Sequence, residues 1–243
     1  MRAIRLIALA AALCAPNLFA AQIFLLDFGG ANITGTGAAP NDPVNVWNNI
    51  PTAVTQTDSG VFGSTLVAVD NSPSTIGLAM VSRFNGVNED GRQDSTLFPT
   101  NATRDSLYGN TGAFNNLTNI FPRLKLTNLS PTDTYTLTFY ASRNGVTDNR
   151  ETRYEVVGLT TQEAFLNASN NTNETAIVSG ILASGANEIG INITPGPNNN
   201  NGATRFTYLG VLKIEVTPIP EPSSALMIAA GLGAVWLRRR TVG

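Results

Sequence analysis

Between residues 134 and 142 the chain alternates: Tyr135, Leu137, Phe139 and Ala141 are separated by Thr136, Thr138 and Tyr140. Successive side chains of an extended backbone point to opposite sides, so a period of two collects the first set on one face of a β-strand, where a helix would scatter it around the axis. One face of this strand is therefore expected to be buried. The pattern recurs at 188–194, with Ile189, Ile191 and Ile193 against Gly190 and Asn192. It recurs again at 206–216, where Phe206, Tyr208, Gly210, Leu212, Ile214 and Val216 share one side and Leu209, Val211, Lys213 and Glu215 the other.

Further strands are expected at 23–28, 61–69, 76–84, 123–126, 152–159 and 175–181. Turn-forming residues separate them, as in Asn-Leu-Ser-Pro-Thr-Asp at 128–133, Arg-Asn-Gly at 143–145 and the Asn-rich runs 167–173 and 198–201. No body segment of about ten residues carries a helical stripe, and 162–170 reads as a short turn. About nine strands joined by polar links, without helical crossovers, predict an all-β fold: a two-layer antiparallel β-sandwich with jelly-roll topology preferred. The connections 29–43, 85–102 and 110–119 are longer than turns require and are where function is to be sought.

Composition removes whole chemistries. The 243 residues contain no histidine and one cysteine, Cys14. A Ser-His-Asp triad, a His-ligated metal and a disulfide within the body are excluded. Between Gln22 and Ile219 there are ten Lys and Arg against sixteen Asp and Glu, a formal charge of −6. That balance argues against nucleic acid as a partner. Carboxylate chemistry, oxygen-ligated calcium or simple binding remain, and no cofactor is expected.

The two ends read differently from the middle. Residues 1–21 have Arg2 and Arg5, an apolar run and Ala20 to cut behind, the order of a secretory signal peptide handled by the Sec translocon. Residues 22–217 form the expected β-sandwich domain. Residues 218–243 contain Pro220, Glu221 and Pro222, an apolar run over 223–237, and Arg238, Arg239 and Arg240. As a helix that run spans about 22 Å at ~1.5 Å per residue, short of a ~30 Å hydrocarbon core, so it is a marginal single transmembrane helix held by its arginines.

Motif, length, charge and placement of this segment resemble the PEP-CTERM sorting signal of Gram-negative bacteria that make exopolysaccharide. The resemblance implies an exosortase partner that cuts at Pro220-Glu221-Pro222, with transient residence in the inner membrane and then a cell-surface or matrix location. A weaker resemblance covers the body. Leu-Asp-Phe-Gly at 26–29, Val-Trp-Asn-Asn-Ile at 46–50, Leu-Thr-Asn-Leu-Ser-Pro at 126–131 with Tyr-Thr-Leu-Thr-Phe-Tyr at 135–140, and Arg-Tyr-Glu-Val-Val-Gly at 153–158 look like bacterial surface modules similar to galactose-binding-like sandwiches.

Three groups of residues are candidate sites. Trp47 with Asn48 and Asn49 has the chemistry of a sugar platform, an indole face beside amides, against the plainer role of capping the core, which is preferred. Asn88, Asp90 and Asp94 offer oxygens to calcium around Gly91, but Arg92 interrupts them and a solvated loop is preferred. Arg143, Asp148, Arg150, Glu151 and Arg153 cluster around one connection, as a binding rim or as ion pairs, with ion pairs preferred. The whole reads as a secreted, non-catalytic envelope protein whose sandwich is a candidate polysaccharide binder. The alternatives are a carboxylate-dependent polysaccharide hydrolase or lyase and a purely structural surface protein.

Overall fold

Burial follows the alternation: Tyr135, Leu137, Phe139 and Ala141 all face the interior, as do Ile189, Ile191 and Ile193. The computed structural model describes residues 21–29, 42–50, 60–61 and 65–219. The expected signal peptide over 1–20, the segment 220–243 with its Pro220-Glu221-Pro222 and Arg238–240, and most of the 29–43 connection lie outside the described residues. Among the described residues no helix is long and apolar enough to cross a membrane.

The strands in chain order are β1 (Gln22–Phe28), β2 (Asn48–Ile50), β3 (Gly60–Val61), β4 (Gly77–Ser82), β5 (Gly86–Asn88), β6 (Ser106–Gly109), β7 (Arg123–Thr127) and β8 (Asp133–Tyr140), then β9 (Glu151–Val157), β10 (Thr161–Asn167), β11 (Ala176–Leu182), β12 (Ile189–Pro195), β13 (Thr207–Leu209) and β14 (Val211–Pro218). One five-residue helix, α1 (Thr100–Arg104), precedes β6. The first sheet has the order β11-β8-β14-β1-β2, the second β10-β9-β12-β7-β4-β3, and a small third sheet β13-β6-β5.

The two large sheets pack face to face around one core. Phe139 of the first sheet stacks on Tyr154 of the second, centroids 4.3 Å apart and planes within 7°. Leu, Ile and Phe from β1, β7, β8, β12 and β14 fill the space around them. Burying side chains of this size contributes about 1.5–3 kcal/mol each. The first and last strands are neighbours, with Gln22 opposite Val216 and Asp27 opposite Val211.

Registers place the chain reversals at two ends. At one end lie 73–76 and the short connections 128–132, 158–160 and 183–188; at the other lie 83–122, 141–150, 168–175 and 196–210. A bulge interrupts β11 between Val178 and Ile181, where Gly180 has φ +70°, a left-handed conformation that a side chain would strain.

Several expectations are corrected. Residues 162–170, expected as a turn, contain most of β10, an edge strand whose side chains are largely exposed, so its backbone pairing to β9 leaves little alternation to read. The expected strand at 61–69 is reduced to β3 and an isolated Val67–Pro73 bridge, residues 62–64 lying outside the described residues. The run 206–216 is two strands in two sheets, parted at Gly210. Pairing is antiparallel in the other ladders described, but β1 and β2 run parallel over three residue pairs.

The strand at 134–142 is buried on both faces over its second half, with Thr134 and Thr136 only half-buried on the outer face. Tyr140, on the outer face, is fully covered and forms a second cluster with Leu25, Trp47, Ala102 and Val211, against which Phe98 packs. Segments 42–47 and 89–104 thus roof the outer face of the first sheet near its long-connection end. Gly91 makes this possible: its N–H donates to the carbonyl of Arg104 (2.7 Å), and a Cβ there would collide with the α1 backbone at Thr103.

Candidate functional site

The long-connection end gathers an aromatic ridge from separate parts of the chain. Tyr108 comes from β6, Phe114 from the segment after it, Phe206 from the segment after β12 and Tyr208 from β13. Phe114 and Phe206 meet edge to face, centroids 4.9 Å apart at 86°, and Tyr108 meets Phe206 at 5.5 Å and 88°. Such T-shaped contacts are the favoured geometry of aromatic pairs. Tyr108 and Tyr208 are buried, whereas Phe114 is 41% exposed and Phe206 half-buried, so the cluster begins in the core and ends in solvent.

Asparagine builds the support under Phe114. Asn115 and Asn116 both have positive φ, 50° and 60°, and Phe114 and Leu117 exchange two backbone hydrogen bonds of 2.9 Å, a two-residue reversal of the type I′ kind. Asn tolerates the left-handed region better than other side chains, which explains its use here. Asn85 Nδ2 donates to the Phe114 carbonyl (3.1 Å), Asn110 Nδ2 to the carbonyls of Gly112 (2.6 Å) and Leu117 (3.1 Å), and Asn115 Nδ2 to the Tyr108 hydroxyl (2.9 Å). The backbone is fixed by side-chain amides where no ladder reaches it.

Arg150 supports Phe206. Its guanidinium carbon lies 5.3 Å from the Phe206 centroid and 6.0 Å from that of Tyr208. Nε donates to Asp148 Oδ2 (3.0 Å) and Nη1 to the Tyr208 hydroxyl (2.5 Å). Asn201 Nδ2 donates to the same Asp148 oxygen, while Asn201 Oδ1 accepts the Phe206 N–H (3.4 Å). Burial pushes the Asp148 carboxyl up, but hydrogen bonds and charge from Arg150 outweigh it and hold the group below the usual value. Burial raises the Tyr208 phenol, with Arg150 opposing.

The residues singled out from sequence fall mostly elsewhere. Trp47 is 7% exposed: its Nε1 donates to Asp42 Oδ2 (2.9 Å) and its ring meets Phe98 edge-on, so it covers the first sheet and offers no sugar platform. Asn48 is spent on backbone, donating to the carbonyls of Leu25 and Val67 and accepting the Val67 N–H. Asn49 is exposed on β2. Arg143 stands at the long-connection end, paired with Asp90, and its backbone ties 141–150 to 168–175 through Ala168 and Asn170.

The calcium candidates do not converge. Asn88 is buried and donates to Ser106 Oγ and the Ser142 carbonyl, Asp90 pairs with Arg143, and Asp94 with Arg92. Among the described residues no three His, Cys, Asp or Glu gather as a metal site. The cluster at 143–153 resolves into ion pairs, Arg150 with Asp148 and Arg153 with Glu155 and Glu163. Glu151 instead accepts from the Asn198 backbone and amide.

Of the ridge, only its neighbourhood was legible. The 110–119 connection stands out by length and contains Phe114; Tyr108, Phe206 and Tyr208 are distant in sequence, and their alternation reads as strand.

No protein-family model and no curated protein matches the sequence. Among solved structures the chain is similar to the ANX2 ectodomain from Arabidopsis thaliana (TM-score 0.45, 13% identity, 81% of this chain and 50% of that one). It is also similar to the ANXUR1 extracellular domain (0.45, 15%, 83% and 51%) and the ANX1 ectodomain (0.45, 15%, 83% and 52%) from the same plant. The chain spans about half the length of each, and at these values the likeness bears on no functional question.

Proposed function

We propose that this chain is an exported, PEP-CTERM-sorted envelope protein of a Gram-negative bacterium whose sandwich, a jelly roll, binds extracellular polysaccharide without transforming it. The observation that carries the binding reading is the ridge of exposed Phe114 and half-buried Phe206 above a braced Arg150. Exposed aromatic rings stack on the C–H faces of sugar rings, and neighbouring amides serve hydroxyls; Asn115, exposed beside Phe114 with its Nδ2 on the Tyr108 hydroxyl, presents its amide oxygen there. The jelly-roll reading is supported by the order of the eight main strands, β11-β8-β14-β1 against β10-β9-β12-β7, which alternates between sheets as two Greek keys do.

A binding role without catalysis fits the carboxylates near the ridge. A glycosidase needs one carboxyl group held protonated as a general acid, whereas Asp148 is shifted the other way and Glu151 is engaged by Asn198. The sorting half of the proposal is supported by the order Pro220-Glu221-Pro222, apolar run, Arg238-Arg239-Arg240, with an exosortase and the Sec translocon as partners during export.

Each half has its own test. Retention of the full chain in gels cast with polysaccharides measures binding; Phe114→Ala and Phe206→Ala are expected to abolish it, and unchanged retention in both would remove the ridge from the function. Intact mass of the surface fraction measures sorting, with chains lacking the residues after Pro222 expected. Full-length protein on the surface would reduce the tail to an ordinary anchor.

A further inference from the structure

Arg150 sits under the ridge where an anionic sugar would meet its strongest attraction, yet two of its nitrogens are already engaged. Nε is bonded to Asp148, Nη1 to the Tyr208 hydroxyl, the guanidinium carbon lies 5.3 Å from the Phe206 centroid, and the side chain is only 12% exposed. The surrounding charges also cancel. Arg143 is paired with Asp90. Glu151 is held by Asn198, and Arg205 is exposed next to Phe206. Arg143, Arg150 and Arg205 thus stand against Asp90, Asp148 and Glu151.

We propose that Asp148 is a specificity-determining residue: by compensating Arg150 it fits the ridge to uncharged saccharides and turns anionic ones away. This inference rests on the polysaccharide reading above and names the ligand class of the same site. A carboxylate approaching the ridge would meet Asp148 and the negative faces of Phe114 and Phe206, with Nε and Nη1 of Arg150 already engaged by Asp148 and Tyr208. A neutral ring meets the same faces through its C–H groups and gives up no ionic hydration. Asp148 also fixes position, because its Oδ2 receives both Arg150 from 141–150 and Asn201 from 196–206. Charge compensation and loop bracing are therefore one interaction.

Wild-type full chain and Asp148→Asn, both in neutral detergent, are compared for retention by dextran and galactan, which are uncharged, and by polygalacturonate. Salt is varied between about 0.01 M and about 1 M, over which the screening length falls from ~30 Å to ~3 Å. Wild type is expected to be retained by a neutral polymer with less than about a two-fold change across that range, and not by polygalacturonate. Asp148→Asn keeps the side-chain shape and frees the Arg150 charge, so it is expected to gain about ten-fold or more in retention by polygalacturonate at low salt, and to lose that gain at high salt. Adding Arg150→Gln to Asp148→Asn should remove the gain.

Retention of wild type by polygalacturonate overturns the inference and needs no variant to fold. An Asp148→Asn chain of native circular dichroism that treats all three polymers as wild type does overturns it too. If wild type is retained by none of them, the polysaccharide reading falls and this inference with it, a result distinct from either of the others.

Discussion

The two ends of the sandwich are made by the same strands and closed differently. At the short-connection end an aromatic ring closes a turn. The Tyr135 hydroxyl accepts the Ser130 N–H (2.8 Å) and donates to the Ser130 carbonyl (3.2 Å), and burial pushes its phenol up to about 12. A cleft of about 410 Å³ lies beside it, lined by Gln22, Ser74, Asn128, Ser130, Asp133 and Val216, and Tyr135, the ring in its lining, is itself buried. At the long-connection end the Phe114 ring is exposed and the Phe206 ring half-buried, and asparagines and an ion pair do the closing. A hydroxyl locked onto backbone builds structure; a bare ring held from behind is free to meet a ligand.

That contrast breaks first if the core between the ends is misjudged. Phe139→Ala removes the partner of Tyr154 and is expected to destabilise by ~3–5 kcal/mol, whereas Thr138→Ala, on the other face, should stay near ~1 kcal/mol. Denaturant midpoints of the full chain measure both. Equal losses would mean that the core does not run on the Tyr135-Leu137-Phe139 face.

Tyr135→Phe comes next. It leaves the Ser130 N–H and carbonyl without their partner and is expected to cost ~1–3 kcal/mol while leaving polysaccharide retention unchanged. Phe206→Ala should show the converse: retention is lost with a smaller change in the midpoint, because the ring is half-buried. Should the tyrosine variant lose binding and the phenylalanine variant keep it, the ends have been assigned the wrong way round.

Acid sharpens the comparison more gently. Asp42 is raised by burial but lowered further by hydrogen bonds from Trp47, Asn45 and Val44, so it stands below its ordinary 3.8, and Asp148 is depressed as well. A depressed carboxyl stabilises the fold fully above the ordinary value and ceases to as pH falls through the folded value. Below about pH 4, Trp47 emission in a Trp236→Phe background is expected to shift to the red before strand circular dichroism changes. Simultaneous loss of both would show that neither carboxyl acts locally. The smallest effect is expected from EDTA: Asp90 and Asp94 are satisfied by arginine, and a thermal midpoint that falls by more than about 4 °C would restore a cation to the 88–94 segment.

Legibility followed strand length and exposure. β7, β8, β9, β11 and β12 were readable because each has five or more residues with one face turned inward. β6 was missed because all four of its residues are buried and nothing alternates, while β2 and β5 are too short to carry a period. β10 reads poorly for the opposite reason: it is an edge that faces solvent on most positions.

The sequence alone determined the class of fold, through alternation, and the exclusion of histidine and thiol chemistry from the body, through composition, since both are properties of single residues or near neighbours. It also contains the order of motifs at the two ends. What only the tertiary structure decided is which aromatics are open. Trp47 and Phe114 look alike in the chain, each beside two asparagines, yet one is roofed by Phe98 and bonded to Asp42 while the other stands in solvent against Phe206. Their contacts join residues far apart in sequence, as do those of Arg150 and Tyr208, 58 positions apart, because antiparallel strands bring distant reversals to one end.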